Sequence, residues 1–151
     1  MPGSETLSKS SRWSEHRIRR RVQFHETDAA GIVHFSRFFC YMEEAEHALW
    51  REAGLSIARG HAGLGFPRVA AGFEFHRPLR FEDEFDVSIR IAAIEQKTIR
   101  YTCELTRDDD RIATGTLTII CVSRRADESM KAMAIPPDIA ARFEVAAGAV
   151  P

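Results

Sequence analysis

The spacing of hydrophobic and polar positions changes twice along this chain. Ile18, Arg20, Val22 and Phe24 alternate with Arg19, Arg21 and Gln23, a period of two that predicts a strand although arginine falls in both phases. From about Ser36 to Ala53 the period becomes helical, with Phe35, Phe38, Phe39, Met42, Ala45 and Leu49 recurring at intervals of three and four. Glu43, Glu46, Arg51 and Glu52 are left largely for the opposite, solvent side, and Gly54 supplies a stop. This is the one long helix the pattern predicts.

The remainder reads mainly as strands. Arg68 to Phe75 is apolar and extended, Arg77-Pro78 interrupts it, and Glu82-Asp83 marks a bend. Phe85 to Ile94 alternates, Thr98 to Arg107 is β-branched and aromatic, and Ile112 to Val122 is rich in Thr and Ile. Asp108-Asp109-Asp110 predicts the turn between the last two. Pro136-Pro137-Asp138 opens a short helix over Ile139 to Phe143, since proline is tolerated in a first turn. The order is one strand, one long helix, then four strands joined by short turns. That favours an antiparallel sheet, with the helix burying its apolar stripe on it. The fold class is α+β, and period and order alone do not choose among folds of that class.

Composition narrows the function without naming it. The chain has 151 residues, 44% hydrophobic and 28% charged, as an ordinary globular domain has. Lys+Arg 21 against Asp+Glu 22 leaves a net charge of -1, so no broad basic field for nucleic acid is present. Cys40, Cys103 and Cys121 form no CxxC pair and lie in apolar stretches, which predicts three small buried hydrophobes. Residues 1–16, polar and Ser-rich, are expected to be a disordered leader, 17–144 the single domain and 145–151 a frayed tail. The leader lacks the apolar centre of a secretory signal, and no run approaches the roughly 18 apolar residues of a membrane span. Residence in the cytoplasm, away from nucleic acid and membrane, is the expectation.

The chemistry concentrates in VQFHETDAAGIVHFSRFFCYMEE, residues 22–44. A carboxylate, Asp28, sits on a Gly31-containing loop just before the long helix. The first N–H groups of a helix have no intrahelical partner and carry partial positive charge, so they can hydrogen-bond a developing oxyanion. A carbonyl held there could be attacked by Asp28 or by a water that Asp28 activates. On local chemistry alone, an Asx-turn residue is the commoner reading of such an aspartate.

The segment resembles the 4-hydroxybenzoyl-CoA thioesterase family, including its relatives associated with the Tol-Pal cluster. The likeness rests on Thr27-Asp28-Ala29-Ala30-Gly31-Ile32-Val33, an aromatic-rich helix start and Glu43, and returns at Met133-Ala134-Ile135-Pro136-Pro137. It implies a hotdog fold, a curved antiparallel sheet wrapped around one helix. It also implies hydrolysis of an acyl-CoA thioester, with Asp28 as the catalytic carboxylate and the backbone N–H of Phe35 polarising the thioester carbonyl. Gly31, Val33, His34, Phe66 and Arg68 then become candidate substrate-binding residues, and Arg124 and Arg125 candidates for the CoA phosphates. No metal and no cofactor is expected, CoA being part of the substrate. A homodimer or homotetramer is implied, with Tyr41 and Trp50, outside the tightest apolar phase, available for subunit contacts. His34 and Ser36-Arg37-Phe38 depart from the residues frequent in relatives, which bears on the acyl group accepted.

Other residues carry lesser readings. Glu43 is the alternative carboxylate, and Glu26 is expected at the loop surface, turned away by alternation. His25 and His34 flank the region as polar groups at the pocket mouth or as proton shuttles. Gly63 to Arg68 lacks the Lys-Ser/Thr ending of a phosphate loop and reads as the approach to the second strand. Phe24, Phe35, Phe66 and Phe73 could wall an aromatic pocket, although core packing is the commoner role. Two other functions stay open: a hydratase or dehydratase, which in relatives uses a His-Phe-Pro-Gly type segment absent here, and non-catalytic binding of an acyl thioester. An acyl chain on a carrier protein is the alternative substrate.

Overall fold

The computed structural model describes residues 12–127 and 129–148. Strand β1 (Glu15–Arg21) leads through a short 3-10 turn (Phe24–Glu26) into helix α1 (Phe35–Glu52). Then come β2 (Leu64–Gly65), β3 (Arg68–Phe75), β4 (Glu84–Ile94), β5 (Thr98–Arg107), β6 (Asp110–Ile120), β7 (Val122–Arg124), β8 (Met130–Ala132) and helix α2 (Pro137–Ala140). Five strands pair antiparallel in the order β1-β4-β5-β6-β3, and a smaller sheet has the order β2-β7-β8.

Alternation decides which face of the large sheet is apolar. Phe85, Val87, Ile89 and Ile91 of β4 are fully buried, and the register sets Val87 beside Leu105, Ile89 beside Cys103 and Ile91 beside Tyr101. Register shifts at Ile91/Ala93, Leu105/Thr106 and Arg68/Ala70 interrupt three ladders, and such bulges bend the strands that carry them. The sheet curves around α1 in the hotdog arrangement. α1 buries Phe38, Tyr41, Met42, Ala45, Glu46, Ala48, Leu49 and Trp50, a stripe wider than its apolar period alone indicates. Each large apolar side chain so buried contributes about 1.5–3 kcal/mol before entropy is counted.

Local chemistry ends α1 and turns β5 into β6 where the sequence indicated. Gly54, at φ 81, closes α1: Gly54 N donates to Arg51 O and Leu55 N to Trp50 O, the paired bonds of a Schellman motif. Arg142 also donates to Ala53 O at 2.6 Å, tying the C-terminal segment to the same helix end. Asp108 and Asp109 both have positive φ, as a two-residue hairpin requires.

Several expectations need correction. β1 starts at Glu15 and stops at Arg21, so Phe24 lies outside it, in the 3-10 turn, and is exposed. The leader expected over 1–16 overlaps β1 at Glu15 and His16 and includes Trp13, which is bridged to Phe143, while 1–11 lie outside the described residues. In the expected tail, Ala146 is buried and donates to Ile91 O, and 149–151 lie outside the described residues. The last long strand ends at Ile120 rather than Val122, and the C-terminal helix spans Pro137–Ala140 rather than Ile139 to Phe143. Tyr41 and Trp50 are both core residues with no exposed surface, because aromatic bulk at the flank of the stripe still reaches the sheet. Glu46 is fully buried as well. Arg68 donates to both its oxygens, and Tyr101 on β5 receives the indole N–H of Trp50, four residues further along α1, at 3.0 Å. Burial pushes the Glu46 carboxyl upward against the pull of Arg68. Among the described residues no helix is long and apolar enough to cross a membrane.

Cys103 and Cys121 are buried as expected, and Cys40 is exposed on α1. Burial pushes the Cys103 thiol up to about 12, so its thiolate is scarce near neutrality. Titration of the native protein with a thiol reagent at pH 8 is expected to show one fast thiol, lost in Cys40→Ser, and all three after denaturation. Fast reaction of Cys103 would contradict this packing. Trp50→Phe removes the donor to Tyr101 and is expected to lower unfolding free energy by about 1–3 kcal/mol, read by denaturant titration.

Candidate active site

The segment from Glu26 to Phe35 folds back on itself before α1 begins. Thr27 and Val33 form an antiparallel bridge, Asp28 N donates to Ile32 O at 2.8 Å, and Gly31 N donates to Asp28 O at 3.0 Å. Gly31 makes the reversal at φ 81, a conformation that costs a side-chain-bearing residue about 1–2 kcal/mol. The loop is docked from outside: Val33 N donates to Leu79 O at 2.8 Å, and Ile32 bridges Arg80.

Within this loop Asp28 is half-buried. Its Oδ1 accepts from Ala30 N at 2.8 Å and Ile32 N at 3.4 Å. This is the Asx turn that local chemistry favours. It engages one oxygen, and among the described residues Oδ2 has no donor. The turn therefore orients the carboxylate without consuming it.

The start of α1 supplies the complementary group. His34 is the N-cap, and its Nδ1 accepts from Ser36 N at 3.2 Å. His34 N donates to Glu26 O at 2.9 Å and Arg37 N to His34 O at 2.9 Å. The N–H of Phe35 falls between these engaged groups, and among the described residues nothing accepts from it. It is a free donor at the positive end of an 18-residue helix.

Asp28, Ile32, Val33, Phe35 and Phe38 line a cavity of about 440 Å3 together with Phe75, His76, Arg77 and Pro78 from the end of β3. His76 and Arg77 are fixed there by backbone bonds to Ile112 O, and His76 Nε2 lies 3.1 Å from Thr114 Oγ1. Phe38 meets Phe75 edge-on at 4.9 Å and Phe73 at 5.8 Å, so the apolar wall continues into the core. A larger hollow of about 880 Å3 crosses the sheet between outward-facing residues such as Ser88, Thr102 and Thr116, and no residue of the Asp28 loop borders it.

The structure thus brings Asp28, Val33 and Phe35 to one cavity, with Gly31 and His34 shaping the loop around it. Within one chain it does not bring Phe66 or Arg68 there. Phe66 is buried against Trp50, and Arg68 is held by Glu46 and Glu43. Glu43 is exposed in that ion pair, away from the cavity. Arg124, whose guanidinium lies over Gly65, and Arg125 are exposed at the end of β7. Of the proposed aromatic wall Phe35 lines the cavity and Phe73 backs it, whereas Phe24 packs on Phe81 instead. His25 is exposed. Among the described residues no cluster of three metal-ligating side chains occurs.

Sequence reasoning missed Phe75, His76, Arg77 and Pro78 as lining residues. The one signal was Arg77-Pro78 itself, which marks the strand end and hence a sheet rim. It also misplaced Glu26, which is buried and not at the surface. A glutamate three residues after a turn-capping position was the available clue, since its carboxylate can return to the cap's N–H.

Comparison with known proteins places the chain by family and by fold. Residues 22–143 match the family model of the thioesterase-like superfamily. A putative esterase of Aquifex aeolicus is 35% identical over 96 residues, 63% of this chain and 75% of that protein. A 1,4-dihydroxy-2-naphthoyl-CoA hydrolase of Synechococcus elongatus is 23% identical over 112 residues, 72% of this chain and 82% of that one. The crystal structure of a gentisyl-coenzyme A thioesterase superposes with a TM-score of 0.74 at 26% identity, covering 83% of this chain and 99% of that one. With the fold, the loop and the helix terminus arranged in this way, the chain belongs to the thioesterase-like superfamily, hotdog enzymes that hydrolyse thioester bonds.

Proposed function

We propose that this protein hydrolyses an acyl-CoA thioester to a free acid and CoA, with Asp28 acting as nucleophile or general base and the N–H of Phe35 polarising the carbonyl. The observation that carries the reading is that a carboxylate with one free oxygen and an unengaged helix-terminal N–H border the same cavity. A thioester carbonyl accepting from Phe35 would gain most as negative charge develops on its oxygen, which is when stabilisation accelerates the reaction. Oxygen then adds to the carbonyl carbon, the C–S bond breaks, and the thiolate leaves as CoA after taking a proton. Attack by water gives the acid directly. Attack by Asp28 gives an anhydride that water opens.

The cavity favours an aromatic acyl group. Phe35, Phe38 and Phe75 offer ring faces and edges, while His76 and Arg77 add polar groups at the rim. Similar proteins named for dihydroxynaphthoyl-CoA and gentisyl-CoA support the same class. Arg124 and Arg125 remain our candidates for the CoA phosphates, and no cofactor is called for. Two copies pairing along β3 would cover an edge on which Val69 is 57% and Phe75 50% exposed.

A panel of benzoyl-, 4-hydroxybenzoyl-, short-chain and medium-chain acyl-CoA, assayed by thiol release, tests the activity. Asp28→Asn is expected to reduce kcat by about 10²–10⁴-fold with an unchanged melting temperature. Full turnover in that variant would refute the assignment and redirect attention to Glu43. In a single turnover in ¹⁸O water, label in the Asp28 carboxylate would establish the nucleophilic route with the anhydride opened at the aspartyl carbon.

Gly31 gives a second test. A Cβ there would meet nothing within 4 Å, so the cost of substitution lies in the backbone alone. Gly31→Val is expected to lower stability by about 1–2 kcal/mol and kcat disproportionately, whereas Gly31→Asn, a residue that tolerates this conformation, should keep most activity. Equal behaviour of the two variants would show that the loop reversal does not matter.

A further inference from the structure

Glu26 is 3% exposed, an unusual place for a carboxylate that lines no cavity. Both its oxygens are engaged. Oε1 accepts from Gln23 N at 2.8 Å, Tyr41 OH at 2.9 Å and Arg20 Nη1 at 3.2 Å, and Oε2 lies 2.9 Å from Arg20 Nη2. Arg20 comes from β1 and Tyr41 from α1, so one side chain ties the turn to both. Arg20 also meets the half-exposed outer carboxylate of Glu44 at 2.6 Å and lies over the Tyr41 ring, whose centroid is 4.8 Å from its guanidinium carbon. Burial, reinforced by the neighbouring Glu26 charge, drives the Tyr41 hydroxyl far above its usual range, so it remains a donor at any working pH.

The backbone of the same residue reaches the reacting groups. Glu26 O accepts the N–H of His34, the residue before Phe35. Thr27, the next residue, opens the bridge to Val33 that closes the loop, and Asp28 follows it. A fully desolvated carboxylate is a costly way to hold a turn, and apolar packing often does so at least as well. What this arrangement adds is direction, because each donor sets one coordinate of the peptide unit that carries Asp28 on one side and receives His34 on the other.

We propose that Glu26 is a positioning residue for the hydrolysis, fixing Asp28 and the Phe35 N–H relative to each other through its cluster with the half-buried Arg20 and the buried Tyr41. The inference rests on the reading of Asp28 and Phe35 given above. Glu26→Gln keeps an acceptor for Gln23 and Tyr41 but sets an amide N–H₂ against the guanidinium of Arg20. Misplacement of reacting groups by about an ångström can cost 10²-fold in rate.

The test compares kcat and KM of wild type, Glu26→Gln, Tyr41→Phe, Glu44→Gln, Asp28→Asn and the Glu26→Gln/Asp28→Asn double variant. The substrate is benzoyl-CoA or the panel member turned over fastest, and each variant is also followed by thermal melting. Glu26→Gln is expected to lose kcat by about 10–100-fold with KM within about threefold, and Tyr41→Phe to lose less. Glu44→Gln, which removes only the outer partner of Arg20, should stay within about twofold. In the double variant the Glu26 substitution should add little, because its effect is exerted through Asp28. Wild-type kcat in folded Glu26→Gln overturns the proposal, as do losses that multiply independently of Asp28. Should Glu26→Gln fail to fold, Tyr41→Phe decides, and unchanged kcat there overturns the proposal. Asp28→Asn separates the two ideas. If it is inactive while Glu26→Gln is fully active, only the positioning role falls, and if Asp28→Asn is fully active both readings fall together.

Discussion

Helix α1 can begin only once the chain before it has found acceptors for the helix's first N–H groups. Glu26 O takes the N–H of His34, the imidazole of His34 takes that of Ser36, and His34 O takes that of Arg37. Among the described residues nothing accepts the N–H of Phe35, and the loop that satisfies its neighbours is the loop that carries Asp28. The unsatisfied donor and the carboxylate are therefore not two features that happen to be close. Both follow from how one ten-residue stretch solves the problem of starting a helix against a sheet.

That solution needs the helix to be fixed to the sheet in register, and apolar packing alone does not define register sharply. Two ion-pair clusters supply the missing direction. On the β1 edge, Arg20 spans the buried Glu26 and the outer Glu44. On the β3 edge, Arg68 spans the fully buried Glu46 and the outer Glu43. The inner Glu26 also accepts from the Tyr41 hydroxyl. β1 and β3 are the two outer strands of the five-stranded sheet, so α1 and the turn before it are tethered to both edges of the surface that curves around them. Desolvation makes such pairs poor sources of net stability, but each breaks strongly if one partner is displaced, which is what a positional constraint requires.

These clusters explain where the sequence was opaque. The apolar spacing from Phe38 to Leu49 showed α1 plainly, because a core-facing stripe repeats within a single helix. Glu26 and Glu46 gave no such sign. A buried charge occupies the same kind of position in a pattern as an exposed one, and what distinguishes it is a partner remote along the chain, Arg68 for Glu46. Tyr41 and Trp50 were displaced from the core in the sequence reading for a related reason. A stripe widened by polar contacts to the sheet, such as the indole N–H on Tyr101, no longer follows a narrow period. Cys40 shows the reverse, an apolar neighbourhood in sequence that turns outward on the helix. Asp28 was legible because loop, glycine and helix start are contiguous. His76 and Arg77 were not, since only the pairing of β3 with β6 brings them to the same cavity.

The cavity is consequently built from two independent sources. Residues 26–35 provide Asp28 and the N–H of Phe35, and their geometry is over-determined by the turn, the bridge to Val33, the contact with Leu79 and the cluster around Glu26. The opposite wall, Phe75 to Pro78, belongs to the end of an outer strand, held by two backbone bonds to Ile112 O and continuing into an exposed turn. A substitution on that wall changes what the cavity admits without touching any bond that orients Asp28 or frees the N–H of Phe35. The polar pair His76 and Arg77 thus lies on the wall that the Asp28 loop does not build, so residues there can vary on one fold without altering that loop.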